Sequence, residues 1–162
     1  MVYLGNRKHT SLIRLATQDD YIDILRLCLE FYKSSPYKDL PESIEMIDEE
    51  IRKYLHSEPS QNVILLLVDS LGHPRGILAG GMSSIPFSPM KVAYEGVWFV
   101  EEAYRGKEAI QLLYIFEYWA NKHGADVINM NLLNNEFKDP LTKLYLRKGY
   151  VEAETSFIKR LR

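Results

Sequence analysis

Residues 92 to 113 run Val-Ala-Tyr-Glu-Gly-Val-Trp-Phe-Val-Glu-Glu-Ala-Tyr-Arg-Gly-Lys-Glu-Ala-Ile-Gln-Leu-Leu, passing from a β-prone apolar stretch through a short polar turn into a helical pattern. The turn carries Arg105, Gly106 and Lys107. A helix start exposes backbone N–H groups that have no intrahelical partner, together with the positive end of the aligned peptide dipoles, so it suits an anion. Gly106 lets the main chain approach that anion closely, and Arg105 and Lys107 bring charge of the sign a phosphate chain needs. The same residues equally describe an ordinary strand-to-helix turn with solvated charges. Under either reading a buried strand feeds directly into an amphipathic helix, and such a unit needs a layered arrangement of sheet and helices to cover both.

Strand and helix signals alternate through the rest of the chain. Residues 12 to 16 read as a short strand, after which Thr17 caps a helix over about 18 to 33 with Ile22, Leu25, Cys28 and Leu29 at helical spacing. A polar loop marked by Pro36 and Pro41 leads to a second helix from Glu42 to about Leu55, with Ile44, Ile47, Ile51 and Tyr54 on one face. Loop and helix together are expected to form a lid. The run from Asn62 to Asp69 predicts a strand buried on both faces, and Gly72-His73-Pro74 turns it into a partner over 76 to 82, as an antiparallel hairpin. The Pro86-Phe87-Ser88-Pro89 break separates that hairpin from the strand at 92 to 100. Ala109, Leu112, Leu113, Phe116, Trp119 and Ala120 then give a regular apolar helix face, ended by His123-Gly124. A strand over 127 to 133, a polar stretch, a helix containing Tyr145 and a final strand complete the order β-α-α-β-β-β-α-β-α-β.

At 162 residues, with 46% hydrophobic and 26% charged, the chain can bury a sizeable core without disulfides or structural metal, and one domain spanning 1–162 is expected. A net charge of −2 argues against a global attraction to nucleic acid or anionic membranes. Met1 to Lys8 lacks a signal-peptide core, and no apolar run approaches the roughly 18 residues of a membrane helix, so a cytoplasmic protein with no membrane partner is expected. Cys28, the single cysteine, sits on an apolar helix stripe and reads as a small buried hydrophobe. His9, His56, His73 and His123 are scattered without metal-ligand spacing, so no metal is expected.

Three segments carry a family resemblance: Ile13-Arg-Leu-Ala-Thr-Gln-Asp-Asp20 near the start, the Arg105-Gly-Lys helix start, and Leu144-Tyr-Leu-Arg-Lys-Gly-Tyr150 behind an Asn-containing loop. In this order and spacing they resemble the Gcn5-related N-acetyltransferase (GNAT) superfamily over almost the whole chain, most closely its small bacteriophage and bacterial members. The resemblance implies an α/β (α+β) fold: a mixed, mostly antiparallel sheet flanked by helices and splayed open between its fourth and fifth strands. It also implies acetyl-coenzyme A as co-substrate, an amine as acceptor, and room for a homodimer. The pantetheine arm would add to the splayed edge through the backbone of Trp98, Phe99 and Val100, whose side chains read as core. The pyrophosphate would meet Arg105, Gly106, Lys107, Glu108, Ala109 and Ile110, and Asn134 and Asn135 match the family's loop that bonds the pantetheine, or are plain turn residues.

The resemblance makes Tyr145 the proton donor to the departing thiolate, against the plainer reading of a packed helix tyrosine. Glu95 is the candidate general base, since a carboxylate in a partly dry cleft has its pKa raised; a bulge in its strand would equally turn it to solvent. Asn129 and Asn131 stand where many family members carry their base, and neither can take a proton, although either could orient a water or the acceptor, Asn131 being the candidate acceptor-site residue. Ser35, Tyr37, Phe87 and Tyr94 are candidate acceptor-pocket residues. The chain departs from the family at Glu108 and Ile110, where small residues are usual beside the phosphates. This leaves two functions open: an N-acetyltransferase acting by direct attack of a primary amine on acetyl-coenzyme A, or a catalytically inactive GNAT-like binding, regulatory or assembly module.

Overall fold

The computed structural model describes residues 2–4 and 11–161. Among the described residues six strands make one sheet in chain order: β1 (Val2–Leu4), β2 (Ser11–Leu15), β3 (Asn62–Val68), β4 (Pro74–Ser84), β5 (Lys91–Val100) and β6 (Val127–Asn129). Neighbours are antiparallel except the last pair, β5 and β6. A parallel pair cannot be closed by a hairpin; its crossover is the helix α3 (Lys107–Lys122). Two further helices, α1 (Tyr21–Ser34) and α2 (Ile44–His56), lie between β2 and β3 in the chain. The chain divides into two compact units, Met1–Asn131 and Leu132–Arg162. The first holds the sheet and these three helices, and the second holds α4 (Lys138–Arg147).

The central strands are apolar on both faces because helices cover both. Along β3, Val63, Leu65 and Leu67 join the core built with Leu112, Phe116 and Trp119 of α3, whereas Ile64, Leu66 and Val68 join Ile24 and Leu27 of α1 and Ile51 of α2. Cys28 packs on the second of these cores, and burial pushes its thiol up to about 11, as suits a small hydrophobe rather than a nucleophile. At the start of α1, Asp20 accepts hydrogen bonds from the two terminal guanidinium nitrogens of Arg14 at 2.7 Å and from the Thr17 N–H at 2.8 Å. These bonds, chiefly that to Arg14, hold its carboxyl at about 2 against the opposing effect of burial.

One irregularity shapes the site. Ala79 pairs with Val97 but Gly80 pairs with Glu95, so Gly96 is an extra residue and β5 bulges there. Gly80 is required opposite the bulge: a Cβ on it would lie 2.3 Å from the Tyr94 carbonyl oxygen and 2.7 Å from the Phe116 ring. At the far end of β5 a chain of charges ties three segments together. Asp69 accepts from the Leu71 and His73 N–H groups and from Arg75 Nε, Arg75 also meets Glu101, and Glu101 accepts from Arg26 of α1 at 2.6 Å. Arg26 in addition donates to the Pro74 carbonyl at 2.7 Å.

The structure corrects the expected elements in four places. Val2–Leu4 forms a strand that three residues are too few to announce, so the expected fourth and fifth strands are β5 and β6. The expected 76 to 82 strand grows to Pro74–Ser84, while the expected 127 to 133 strand stops at Asn129. The final strand does not form. A strand exists only through a ladder partner, and no described residue supplies one to residues 151–161, whose Val151, Phe157 and Leu161 are exposed.

Candidate active site

The β5–β6 ladder consists of Val92 with Val127, Ala93 with Ile128 and Tyr94 with Asn129, and ends there. Beyond it, β5 has a strand partner only on its β4 side among the described residues. An amide-bearing extended chain can add to such an edge as a further strand would. Trp98 packs toward the α3 side of the sheet and Phe99 toward the α1 and α2 side, so both side chains belong to the cores while their main chain runs along this edge. The Val100 carbonyl accepts from Arg105 Nε at 2.8 Å, which folds the strand-to-helix turn back on the end of β5.

Gly106 caps α3 with φ 122° and ψ −136°, a backbone region that only glycine enters without strain. A Cβ built on it meets nothing within 4 Å, so the ground in front of the helix start is open. The first intrahelical bond runs from the Ile110 N–H to the Gly106 carbonyl at 3.1 Å, leaving the N–H groups of the preceding first turn for an anion. Arg105 and Lys107 are exposed beside this turn, and Glu108, Ala109 and Ile110 are half-buried. Ala109 packs on the α3-side core.

Glu95 lies where the last two strands part. It is 4% exposed, which decides between the two orientations left open by the sequence in favour of the buried one. Removal from water pushes its carboxyl up to about 7, against the lowering effect of two bonds from Asn131. Asn131 donates its main-chain N–H to Glu95 Oε2 at 3.1 Å and its side-chain Nδ2 to the Glu95 carbonyl at 2.6 Å. Asn131 therefore serves Glu95 itself. Tyr94, one residue before, interacts with the hydroxyl of Tyr54 from α2; burial and then this neighbour raise the Tyr54 pKa, and the Glu95 charge adds to the rise. The Tyr54 hydroxyl lies 3.6 Å from where a Gly96 Cβ would stand, so α2 brings a hydroxyl over the bulge. Sequence reasoning read Tyr54 only as one more residue of an apolar helix face; its polar tip was the signal that could have singled it out.

The remaining candidates are dispersed. Ser35 is buried, donates its hydroxyl to the Tyr32 carbonyl at 2.8 Å and accepts the Tyr37 N–H at 3.1 Å, so it ends α1. Tyr37 follows in that turn, 42% exposed. Phe87 stands fully exposed on the β4–β5 connection with φ 69°, at the hairpin end closed by Ser84 and Lys91 and several ladder positions from Glu95. In the second unit, Asn135 accepts the Phe137 N–H at 3.0 Å in a turn that leads into α4, and Asn134 is exposed. Tyr145 is 7% exposed on α4, its ring centroid 5.3 Å from that of Tyr150. His9 lies outside the described residues. Among the described residues no three His, Cys, Asp or Glu side chains gather as a metal ion would require, and no helix is long and apolar enough to cross a membrane.

No family model and no curated protein matches the chain. Solved structures do. The aminoglycoside N-acetyltransferase AAC(6')-Iy in complex with CoA superposes with a TM-score of 0.69 at 16% identity, over 98% of this chain and 99% of that one. A GNAT family acetyltransferase of Staphylococcus aureus reaches 0.61 at 18% identity, over 93% of this chain and 98% of its own. A transcriptional regulator from Bacillus halodurans C-125 reaches 0.71 at 12% identity, over 93% and 99%.

Proposed function

From a chain that has the fold of the Gcn5-related N-acetyltransferases, we propose an acetyl-coenzyme A-dependent N-acetyltransferase of the cytoplasm, acting on a primary amine of a small molecule or a protein. One observation carries the reading: a buried carboxyl, Glu95, held near neutrality where β5 loses its β6 partner. A carboxyl with a pKa of about 7 is substantially ionised at neutral pH and still basic enough to take a proton from the attacking amine, and it becomes protonated and inert at lower pH. The open edge of β5 past the bulge suits the pantetheine amides, and the start of α3, with Arg105, Gly106 and Lys107, suits the pyrophosphate.

In this mechanism Glu95 takes a proton from the acceptor amine. The nitrogen attacks the thioester carbonyl, an N–C bond forms, and the tetrahedral intermediate collapses with loss of the C–S bond. Tyr145 gives its phenolic proton to the departing thiolate, a role it takes from the resemblance alone. Tyr54 and Tyr94 offer hydroxyls to the acceptor beside Glu95, in place of the more distant Phe87. Calorimetric titration with acetyl-coenzyme A and with coenzyme A is the first test, with micromolar binding expected. Amines are then screened by thiol release, and kcat/KM should rise about tenfold per pH unit up to about pH 7.

A second reading is favoured by Glu108 and Ile110, which stand half-buried at the helix start. A carboxylate there competes with a phosphate for the same N–H groups. On that reading the chain is a binding or regulatory module without transferase activity, and millimolar coenzyme A would leave it unbound.

A further inference from the structure

Glu95 and Asn131 exchange the roles of main chain and side chain. In a continuing parallel ladder, a β6 N–H would donate to a β5 carbonyl. Here the carbonyl of Glu95 takes its hydrogen from the Asn131 side chain at 2.6 Å, and the Asn131 N–H gives its hydrogen to the Glu95 side chain at 3.1 Å. Each main-chain group is satisfied, but through a side chain. Regular pairing stops at Tyr94 and Asn129, one residue before Glu95 on β5 and two before Asn131, and the bulge at Gly96 sits beside it. A buried Glu95 side chain cannot leave this place without abandoning the Asn131 N–H, and the two bonds together span the gap between strands.

We infer that the Glu95–Asn131 pair is a wedge that holds the sheet open where β5 and β6 part, and that Asn131 is a positioning residue which fixes the Glu95 carboxylate through that wedge. The inference rests on the transferase reading only for what the opening admits; the wedge itself is a property of the strands. It assigns Asn131 a task other than touching the acceptor. It also makes one glutamate answerable both for a proton and for the width of the opening, so the two duties separate by substitution. Glutamine keeps an acceptor oxygen for the Asn131 N–H and loses the base. Alanine at 131 keeps the main-chain N–H and loses the donor to the Glu95 carbonyl.

The test is amide hydrogen exchange by NMR on the full chain, with a titration of the Glu95 carboxyl and calorimetry with coenzyme A beside it. The Asn131 amide should be protected in the native protein, stay protected in Glu95→Gln, and lose at least about tenfold of its protection in Glu95→Ala. In Asn131→Ala the Glu95 carboxyl should titrate higher than in the native protein, because the Asn131 side-chain amide, whose hydrogens beside Glu95 help lower its pKa, is gone while the main-chain N–H stays; the neighbouring Tyr54 hydroxyl, its pKa raised, stays neutral throughout this range. Coenzyme A should bind Glu95→Gln as well as the native chain and Asn131→Ala about tenfold more weakly. Equal exchange at Asn131 in the native protein and in Glu95→Ala, or an unmoved Glu95 titration in Asn131→Ala, overturns the wedge. Should Glu95→Ala not fold, Glu95→Ser removes the same acceptor with a smaller loss of polarity and is read in the same way. A native chain that ignores coenzyme A yet shows the expected exchange pattern supports the wedge and sinks the transferase.

Discussion

Replacing Glu95 by glutamine should make the protein more stable, and by an amount that depends on pH. The carboxyl titrates at 4.5 in an unfolded chain and at about 7 in the buried position. At about 1.36 kcal/mol per pKa unit, the shift corresponds to about 3 kcal/mol between protonation states. The folded value lies above the unfolded one, so between them the folded protein binds more protons than the unfolded chain. Stability from this group is therefore complete below the unfolded value and is lost as pH rises through about 7. Glutamine is neutral throughout, has nearly the same shape and leaves an oxygen for the Asn131 N–H. The variant should match the native protein near about pH 4 and exceed it by about 3 kcal/mol near about pH 8. Urea unfolding followed by Trp98 and Trp119 fluorescence reads this directly; with a slope of about 2 kcal/mol per molar, the midpoint gap should open from near zero to about 1.5 M. A gap that stays constant with pH would refute the buried, shifted carboxyl, and with it the base.

Three other perturbations probe independent parts of the molecule. Gly106→Ala forces a side chain into φ 122° and should cost about 1–3 kcal/mol in urea, while weakening any coenzyme A binding; an unchanged midpoint means the turn relaxes without strain. Tyr145→Phe should lower turnover at least about tenfold with coenzyme affinity intact, and unchanged turnover removes Tyr145 from the chemistry. Asp69 is pushed up by burial but held at about 2 by the His73 and Leu71 N–H groups and Arg75. Its folded pKa is depressed, so its stabilisation is present above the unfolded value of 3.8 and fades as pH falls toward about 2. Asp69→Asn should thus be markedly less stable than the native protein at neutral pH and nearly equal to it at about pH 2, as thermal unfolding at the two pH values would reveal.

The strand-to-helix passage through Arg105, Gly106 and Lys107 was legible because its signals are local: a glycine that only one backbone region explains, and apolar positions repeating at helical spacing afterwards. The same holds for β3, whose unbroken apolar run matches its burial on both faces. Glu95 was harder. Its facing depends on whether two-residue alternation survives Gly96, and a bulge is decided by the register against β4, which no local pattern records. Asn131 was read as a residue that meets substrate, since an amide side chain carries no mark of whether its partner is a ligand or a neighbouring strand. Residues 151–161 carry β-prone side chains, but a strand needs an edge to join and the sequence of the segment does not say whether one is offered. The resemblance supplied the roles of Tyr145, Asn134 and Asn135, and physical reasoning from residue type alone would have left all three as packing and turn residues.

The chain of charges from Asp69 through Arg75 and Glu101 to Arg26 has a bearing on how quickly a ligand could arrive. Glu101 begins the passage that ends at Gly106, its N–H donates to the Arg75 carbonyl at 2.9 Å, and Arg75 lies over the Tyr104 ring. The connection in front of α3 is thus braced by the hairpin and by α1 before anything binds. A loop already held in one conformation has little freedom left to lose on association, so an anion docking there forfeits mainly its own translational and rotational entropy. Capture would then be paced by encounter and orientation, and would slow with added salt, rather than wait on a conformational closure of the loop.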